Sequence, residues 1–294
     1  MVPMSFSHEV KRELASLAVQ SKKHILSELF GILVFSGTIL NNVFTASFEN
    51  KDIINRIKIL LNSYGFKSNK EYFIKKYKSP SNFNYNITVN NFNFLDTKYY
   101  QYILNDETLY ADFLRGVFLA CGSILNPENE YHLEFNTYSK QCCKFLIKTF
   151  EICPTLNYTP SAVQRRNRYI IYLKNNEKIT DFLTFIGSQQ CVMKYIQIKM
   201  LKEVRNNINR STNFETANLS KITISSTEHV KAIKKIQKIT GLGSLPECLK
   251  ETAILRIKNP YVSLKELAEL HENPVSKSGV NHRLKKIIEI SSNL

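Results

Sequence analysis

No stretch of this sequence is apolar for long enough to cross a bilayer. The longest apolar run, Leu29 to Phe35, is far short of the roughly 20 residues that a spanning helix needs, so no membrane partner is expected. An export signal is lacking as well. His8, Glu9, Lys11, Arg12 and Glu13 stand where a signal peptide needs an apolar core, and the chain is expected in the cytoplasm. Paired cysteines are absent: the six, at positions 121, 142, 143, 153, 191 and 248, include no Cys-x-x-Cys. That argues against a zinc site and for reduced, partly buried thiols. Acids are scarce, with 25 Asp and Glu against 40 Lys and Arg and a formal net charge of +15. Such an excess attracts polyanions and favours nucleic acid as a partner, although AT-rich coding also raises Lys and Asn content without any partner.

What is present is enough to build real cores. Hydrophobic residues make up 43% of the 294, which excludes global disorder, and the length suits one large domain with a small one. The informative feature is an internal repeat. Residues 29–37 read Leu-Phe-Gly-Ile-Leu-Val-Phe-Ser-Gly, and residues 114–122 read Leu-Arg-Gly-Val-Phe-Leu-Ala-Cys-Gly. Leu29 and Leu114, Gly31 and Gly116, and Gly37 and Gly122 are each 85 positions apart. Both segments are predicted helices ending at a glycine suited to a helix C-terminus.

The flanking patterns match too. After Gly37 come beta-type residues to Phe48 around an Asn41-Asn42 turn, then an amphipathic helix from Asp52 to Ser63. After Gly122 comes a hairpin with Asn126 to Asn129 as its turn, then a helix from Ser139 to Phe150. Second hairpins follow, Phe66–Tyr77 with Asn84–Val89 and Leu156–Val163 with Arg168–Leu173. The predicted fold is α+β, a pseudo-symmetric two-fold αββαββα repeat followed by an all-α helix-turn-helix domain. Expected boundaries are an N-terminal segment 1–20, the repeat domain 21–208 (halves about 21–107 and 108–208), a linker 209–222 and the helix-turn-helix 223–294. The linker follows from the polar run Asn209 to Asn218, which interrupts the helical spacing of Met193, Ile196, Met200 and Val204.

In the last fifty residues, a helix from about Leu245 to Lys258 stops before Pro260. Ser263 and Glu266 form a capping box for a short second helix, and Glu272 to Val275, with Pro274, make the turn. A third helix starts at Ser276 as N-cap and runs to about Ile290, burying Val280, Leu284, Ile287 and Ile288. Opposite them lie Ser278, Asn281, His282 and Lys285. From Ser276 to Lys286 there are four cations and no acid. A major groove accepts such a helix, phosphates attract Lys and Arg, and Ser or Asn can bond base edges. The predicted DNA-binding residues are Ser276, Lys277, Ser278, Asn281, His282, Arg283, Lys285 and Lys286. Helix two is acidic at Glu266, Glu269 and Glu272, which argues against it as the reading helix. Further phosphate contacts are expected at Arg165, Arg166 and Arg168, in a stretch without acids from Ser161 to Asn176; a solvated turn accounts for them equally well.

The nine-residue motif resembles LAGLIDADG, the paired interface helices of homing endonucleases, in which small residues let two backbones approach. The resemblance implies that the eighth position of each motif would carry an Asp binding divalent metal. Here those positions are Ser36 and Cys121, neither a hard anionic ligand, and the closest acids, Glu28 and Asp112, are at the opposite ends of their helices. No catalytic residue, metal or cofactor is therefore expected. An endonuclease with unusual metal ligands and a protein-docking scaffold with a DNA-binding tail are the competing readings.

Together with the opening Ser5 to Leu14 and the run Asn209 to Lys221, these features resemble the WhiA family, and the match covers essentially the whole chain. The resemblance implies binding to double-stranded promoter DNA and a nucleoid location. It also implies a non-enzymatic role in transcription linked to cell division and chromosome segregation, with sporulation in some relatives. Regulatory protein partners and the oligomeric state are left open. The first-half strands depart from the pattern in being unusually rich in Asn, Tyr and Lys.

Overall fold

The computed structural model describes residues 5–78, 83–90, 97–273 and 275–294. The leading segment holds helix α1 (Phe6–Ala15), capped by the Ser5 hydroxyl and burying Phe6, Val10 and Leu14. Helix α2 (Lys22–Ser36) leads into strands β1 (Gly37–Leu40) and β2 (Val43–Phe48), then α3 (Lys51–Tyr64), β3 (Tyr72–Lys78), β4 (Phe83–Val89) and α4 (Thr97–Leu104). The same order recurs in α5 (Tyr110–Cys121), β5 (Gly122–Ile124), β6 (Leu133–Thr137), α6 (Lys140–Ile152), β7 (Ser161–Arg165), β8 (Arg168–Leu173) and α7 (Asn176–Phe185). The two antiparallel sheets have equivalent strand orders, β1-β2-β4-β3 and β5-β6-β8-β7. Asn41 and Asn42 both have positive φ, 49° and 60°, and Leu40 pairs with Val43. This two-residue turn matches the right-handed twist of its strands, and Asn tolerates the left-handed backbone it requires.

Helices α2 and α5 pack directly against each other at the centre of the unit. A Cβ on Gly31 would run into the Phe113 carbonyl and the Val117 amide, and one on Gly116 would meet the Glu28 carbonyl. Only glycine permits so close an approach. Gly37 and Gly122 are a different case. Their φ values of −140° and −79° are extended rather than left-handed, so the C-terminal glycine expected from the sequence is not a left-handed cap. It opens the following strand, and a side chain there would overlap the Phe44 ring at Gly37 and Phe118 at Gly122.

At the other end of the pair, four charges are buried together. The Arg56 Nε and Nη2 atoms donate to the two oxygens of Glu28 at 2.7 Å each. Arg115 reaches Asp112 at 2.6 Å and Glu28 at 3.3 Å, and His24 Nδ1 lies 2.7 Å from Asp112. Arg115 Nε also donates to the Ile186 carbonyl at 2.8 Å. Charges withdrawn from water persist only when paired and hydrogen-bonded on most of their polar atoms, and these are.

Helix α8 (Gln189–Ile239) is 51 residues long. Residues 209–222, expected as an irregular linker, are helical throughout. The stretch contains neither Gly nor Pro, the two residues that reliably break a helix. Within it Ser211 turns to Glu215 at i+4, and just beyond it the Thr223 hydroxyl donates to the Leu219 carbonyl at i−4. Compact units divide within this helix, as Met1–Lys202 and Glu203–Leu294. The first turn of α8 is tied to α1: Glu13 accepts hydrogen bonds from the Ser188 hydroxyl and the Gln190 and Cys191 amides at 2.7, 2.7 and 3.0 Å.

In the second unit, the end of α8 packs with α9 (Glu247–Lys258), α10 (Leu264–Glu269) and α11 (Lys277–Ser292). Ile233, Ile236, Leu249, Ala253, Leu267, Val280, Leu284 and Ile287 form the core. Arg256, 2% exposed, donates to the carbonyls of Asn259 and Val262 and so fixes the loop before α10. His229 is buried beside it. Burial, then the Arg256 charge, hold His229 below the usual histidine value of 6.5, with Glu228 opposing. A depressed folded-state value means that the unfolded chain binds the proton more readily. Stability is then fully present above pH 6.5 and is lost as pH falls below it. We expect the thermal transition of this unit to fall between pH 7.5 and 5.5, and His229→Gln to flatten that dependence. An equal fall in the variant would assign the effect elsewhere.

Candidate nucleic-acid interface

The helix-turn-helix is locked by its caps. Ser263 Oγ accepts from the Glu266 amide at 3.2 Å, and Glu266 accepts from the Ser263 amide at 2.7 Å, completing the capping box. Ser276 Oγ accepts from the Gly279 amide at 3.1 Å and starts α11. The Ser276 hydroxyl is thus occupied in capping and bonds Ser278 as well, at 2.9 Å. The buried His271, between α10 and α11, bonds the Leu267 carbonyl and Thr252 Oγ1, both at 2.9 Å. That brace was not legible in the sequence, where a single histidine after a helix has no distinguishing spacing. Pro274 lies outside the described residues.

On α11, Val280, Leu284 and Ile287 are buried and Ile288 is half-buried. Lys277, Ser278, His282, Lys285 and Lys286 are exposed, and Asn281 is half-exposed beside them. The ~100° turn per residue places Ser278, Asn281, His282 and Lys285 on one outward stripe, opposite the core. No acid occurs from Ser276 to Ile288. Arg283 departs from this group. The same rotation puts it at the edge of the buried stripe, and its Nη1 donates to the Cys248 carbonyl and Thr252 Oγ1 at 3.3 Å, with Glu251 at 3.8 Å. It braces α11 against α9 and has less reach toward a phosphate than the neighbouring lysines.

At the α2–α5 junction, both eighth-position side chains turn back into their own helices. Ser36 Oγ donates to the Ile32 carbonyl at 2.6 Å, and Cys121 Sγ donates to the Val117 carbonyl at 3.4 Å. Lys11 of α1 reaches in, its ammonium 5.9 Å from the centre of the Phe118 ring. Burial brings the Lys11 ammonium down to about 8 and pushes the Cys121 thiol up to about 12; the two groups act on each other in the opposite direction. A neutral thiol, a hydroxyl and an ammonium do not fit a hard divalent cation. Glu28 and Asp112 are committed to the arginine network. Among the described residues, no three His, Cys, Asp or Glu side chains come together in a metal-holding group.

Two family models match the chain: the WhiA LAGLIDADG-like domain over residues 110–205 and the WhiA C-terminal HTH domain over 208–291. A probable cell division protein WhiA from Caldicellulosiruptor saccharolyticus is 38% identical, with 99% of this chain and 96% of the relative covered. The chain belongs to the WhiA family. A relative with the same description from Clostridium beijerinckii is 36% identical, with 99% of each chain covered. The crystal structure of full-length DUF199/WhiA from Thermatoga maritima superposes with a TM-score of 0.64 at 26% identity, covering 99% of both chains. That of the N-terminal LAGLIDADG domain of DUF199/WhiA gives 0.53 at 25% identity, over 63% of this chain and 94% of the other. The α+β repeat followed by a helical domain is therefore the WhiA architecture.

Within this WhiA-family fold, Arg165, Arg166 and Arg168 lie together at the β7–β8 hairpin tip, all exposed. Arg166 sits in the left-handed region at φ 52°, and the Arg168 guanidinium stacks 5.0 Å from the Tyr138 ring. Beside them the outward sheet face carries an acid. Burial opposes ionisation of Glu134, but hydrogen bonds from His132 at 3.1 Å and Asn136 at 3.0 Å hold it below the usual carboxylate range.

Proposed function

We propose that this WhiA-family chain is a non-cleaving DNA-binding regulator that seats α11 in the major groove of promoter DNA. Its work is transcription linked to cell division and chromosome segregation, on the nucleoid. The observation that carries the reading is the outward stripe of α11, where Ser278, Asn281 and His282 stand between Lys277, Lys285 and Lys286 with no acid among them. The lysines neutralise phosphates and set affinity, whereas Asn281, Ser278 and His282 have the donors and acceptors that distinguish base edges. Arg283 positions the helix. The hairpin arginines Arg165, Arg166 and Arg168 would add phosphate contacts from the first unit.

The test is selection of preferred sites from random duplex DNA with the full chain and with Asn281→Ala. The variant is expected to lose preference at one or two positions, corresponding to roughly 5- to 150-fold discrimination per base. An equal loss on every sequence would count against base reading. Incubation of supercoiled DNA with Mg2+ should leave it intact; sustained cleavage by the pure protein would overturn the non-catalytic reading.

A further inference from the structure

The first-half sheet has an outward face unlike that of the second half. Strands alternate sides, so Tyr72 and Ile74 of β3 turn to the core while Phe73, Lys75 and Tyr77 turn outward. The two outward rings are 37% and 41% exposed, a large area for aromatics on a strand. Tyr77 OH bonds Ser47 Oγ at 3.1 Å, which lays its ring across β4 rather than letting it swing in solvent. Asn86 and Asn84 of β4 stand opposite Lys75 and Tyr77 in register. None of the four strands contains an acid, and the flanking Glu71 is bonded to the Lys67 amide at 2.7 Å. In the second half, β7 offers Ser161, Val163 and Arg165 on the same side; the ring on that face, Tyr172 of β8, is stacked on His132, and Glu134 lies beside them.

We infer that the outward face of β3 and β4 is a binding platform for an unpaired nucleic-acid strand, with Phe73 and Tyr77 stacking on bases and Lys75 meeting the phosphate between them. The four-residue separation of the rings is about 13 Å at ~3.3 Å per residue. Stacked bases are only ~3.4 Å apart, so the two rings take separate bases of an opened strand. A duplex keeps its base faces inside the stack and offers nothing to such rings; an unpaired strand exposes them, whatever its sequence. The amides of Asn84 and Asn86 supply donors and acceptors at the base edges. The proposal is independent of the α11 reading, because the two surfaces lie on different units of the chain.

The chain has no tryptophan, so Phe73→Trp in the full-length protein introduces a single indole emitter at the platform. Its fluorescence is expected to be quenched saturably by a 15-nucleotide oligo-dT or oligo-U, and not by a blunt 15-base-pair duplex. Comparing the two oligonucleotides tells whether DNA or RNA is preferred. Phe73→Ala with Tyr77→Ala should weaken oligonucleotide binding by at least about 10-fold while leaving duplex affinity and thermal melting unchanged. Indole emission that stays unquenched in the Phe73→Trp protein with the oligonucleotide bound would overturn the proposal, as would an unaltered oligonucleotide affinity in the double-alanine variant.

Discussion

Arg56→Met is expected to destabilise the first unit by about 3–5 kcal/mol, the range for breaking a buried ion pair by removing one partner. Arg56 is 1% exposed, and it supplies both hydrogen bonds to the Glu28 carboxylate, along with one to the Leu17 carbonyl. Methionine fills much of the volume but leaves Glu28 with only the longer contact to Arg115. A buried carboxylate that has lost both of its short hydrogen bonds cannot be rehydrated without opening the helix pair. The companion variant, Arg56→Met with Glu28→Leu, removes both charges and is expected to recover a good part of the loss, because apolar replacements of buried pairs are often neutral. Urea unfolding of the three proteins decides the matter. A single variant within about 1 kcal/mol of the parent would show that the network is not under this constraint.

On the DNA side, the largest effect is expected from removing Lys277, Lys285 and Lys286 together. All three are exposed on the stretch of α11 that precedes its one acid, Glu289, and each phosphate left without its cation takes about 0.9 from the slope of log affinity against log salt. The triple alanine variant should therefore bind a preferred duplex roughly 10- to 1,000-fold more weakly at low salt, with a slope shallower by about 2–3. Fluorescence anisotropy between roughly 50 and 200 mM salt measures both. Arg283→Ala should change the slope less than the lysines do and should instead lower thermal stability, since its guanidinium is spent on Cys248, Thr252 and Glu251. A triple variant with parental slope and affinity would move the phosphate contacts off α11.

Much of this was legible because the repeat acts twice. Gly31 and Gly116 mark the two places where helix backbones touch, and an identical 85-residue offset is hard to produce without a duplicated fold. The Asn41-Asn42 turn, the Ser263–Glu266 box and the Ser276 cap were readable for a similar reason, since each is a local hydrogen-bonding device whose partners lie within four residues. What the sequence concealed is long-range or negative. The pairing of Glu28 with Arg56 spans 28 residues, and no spacing rule connects them. The continuity of α8 through Asn209 to Asn218 depends on the absence of breakers, which polar composition obscured. Arg283 looked like its cationic neighbours until the turn of the helix placed it against α9. Lys11 gave no signal at all, because its position over Phe118 is set by how α1 docks.

The tie between Glu13 and the start of α8 bears on how the chain is made. Its two carboxylate oxygens wait for partners 175, 177 and 178 residues downstream. At ribosomal speeds of roughly 5–20 residues per second, helix α1 leaves the ribosome about 10–35 s before the groups that fasten it. Helix α1 can dock on α3 and α5 as soon as those are made, but the Glu13 carboxylate stays without these partners until the start of α8 follows, so this clasp closes only when the first unit is nearly complete.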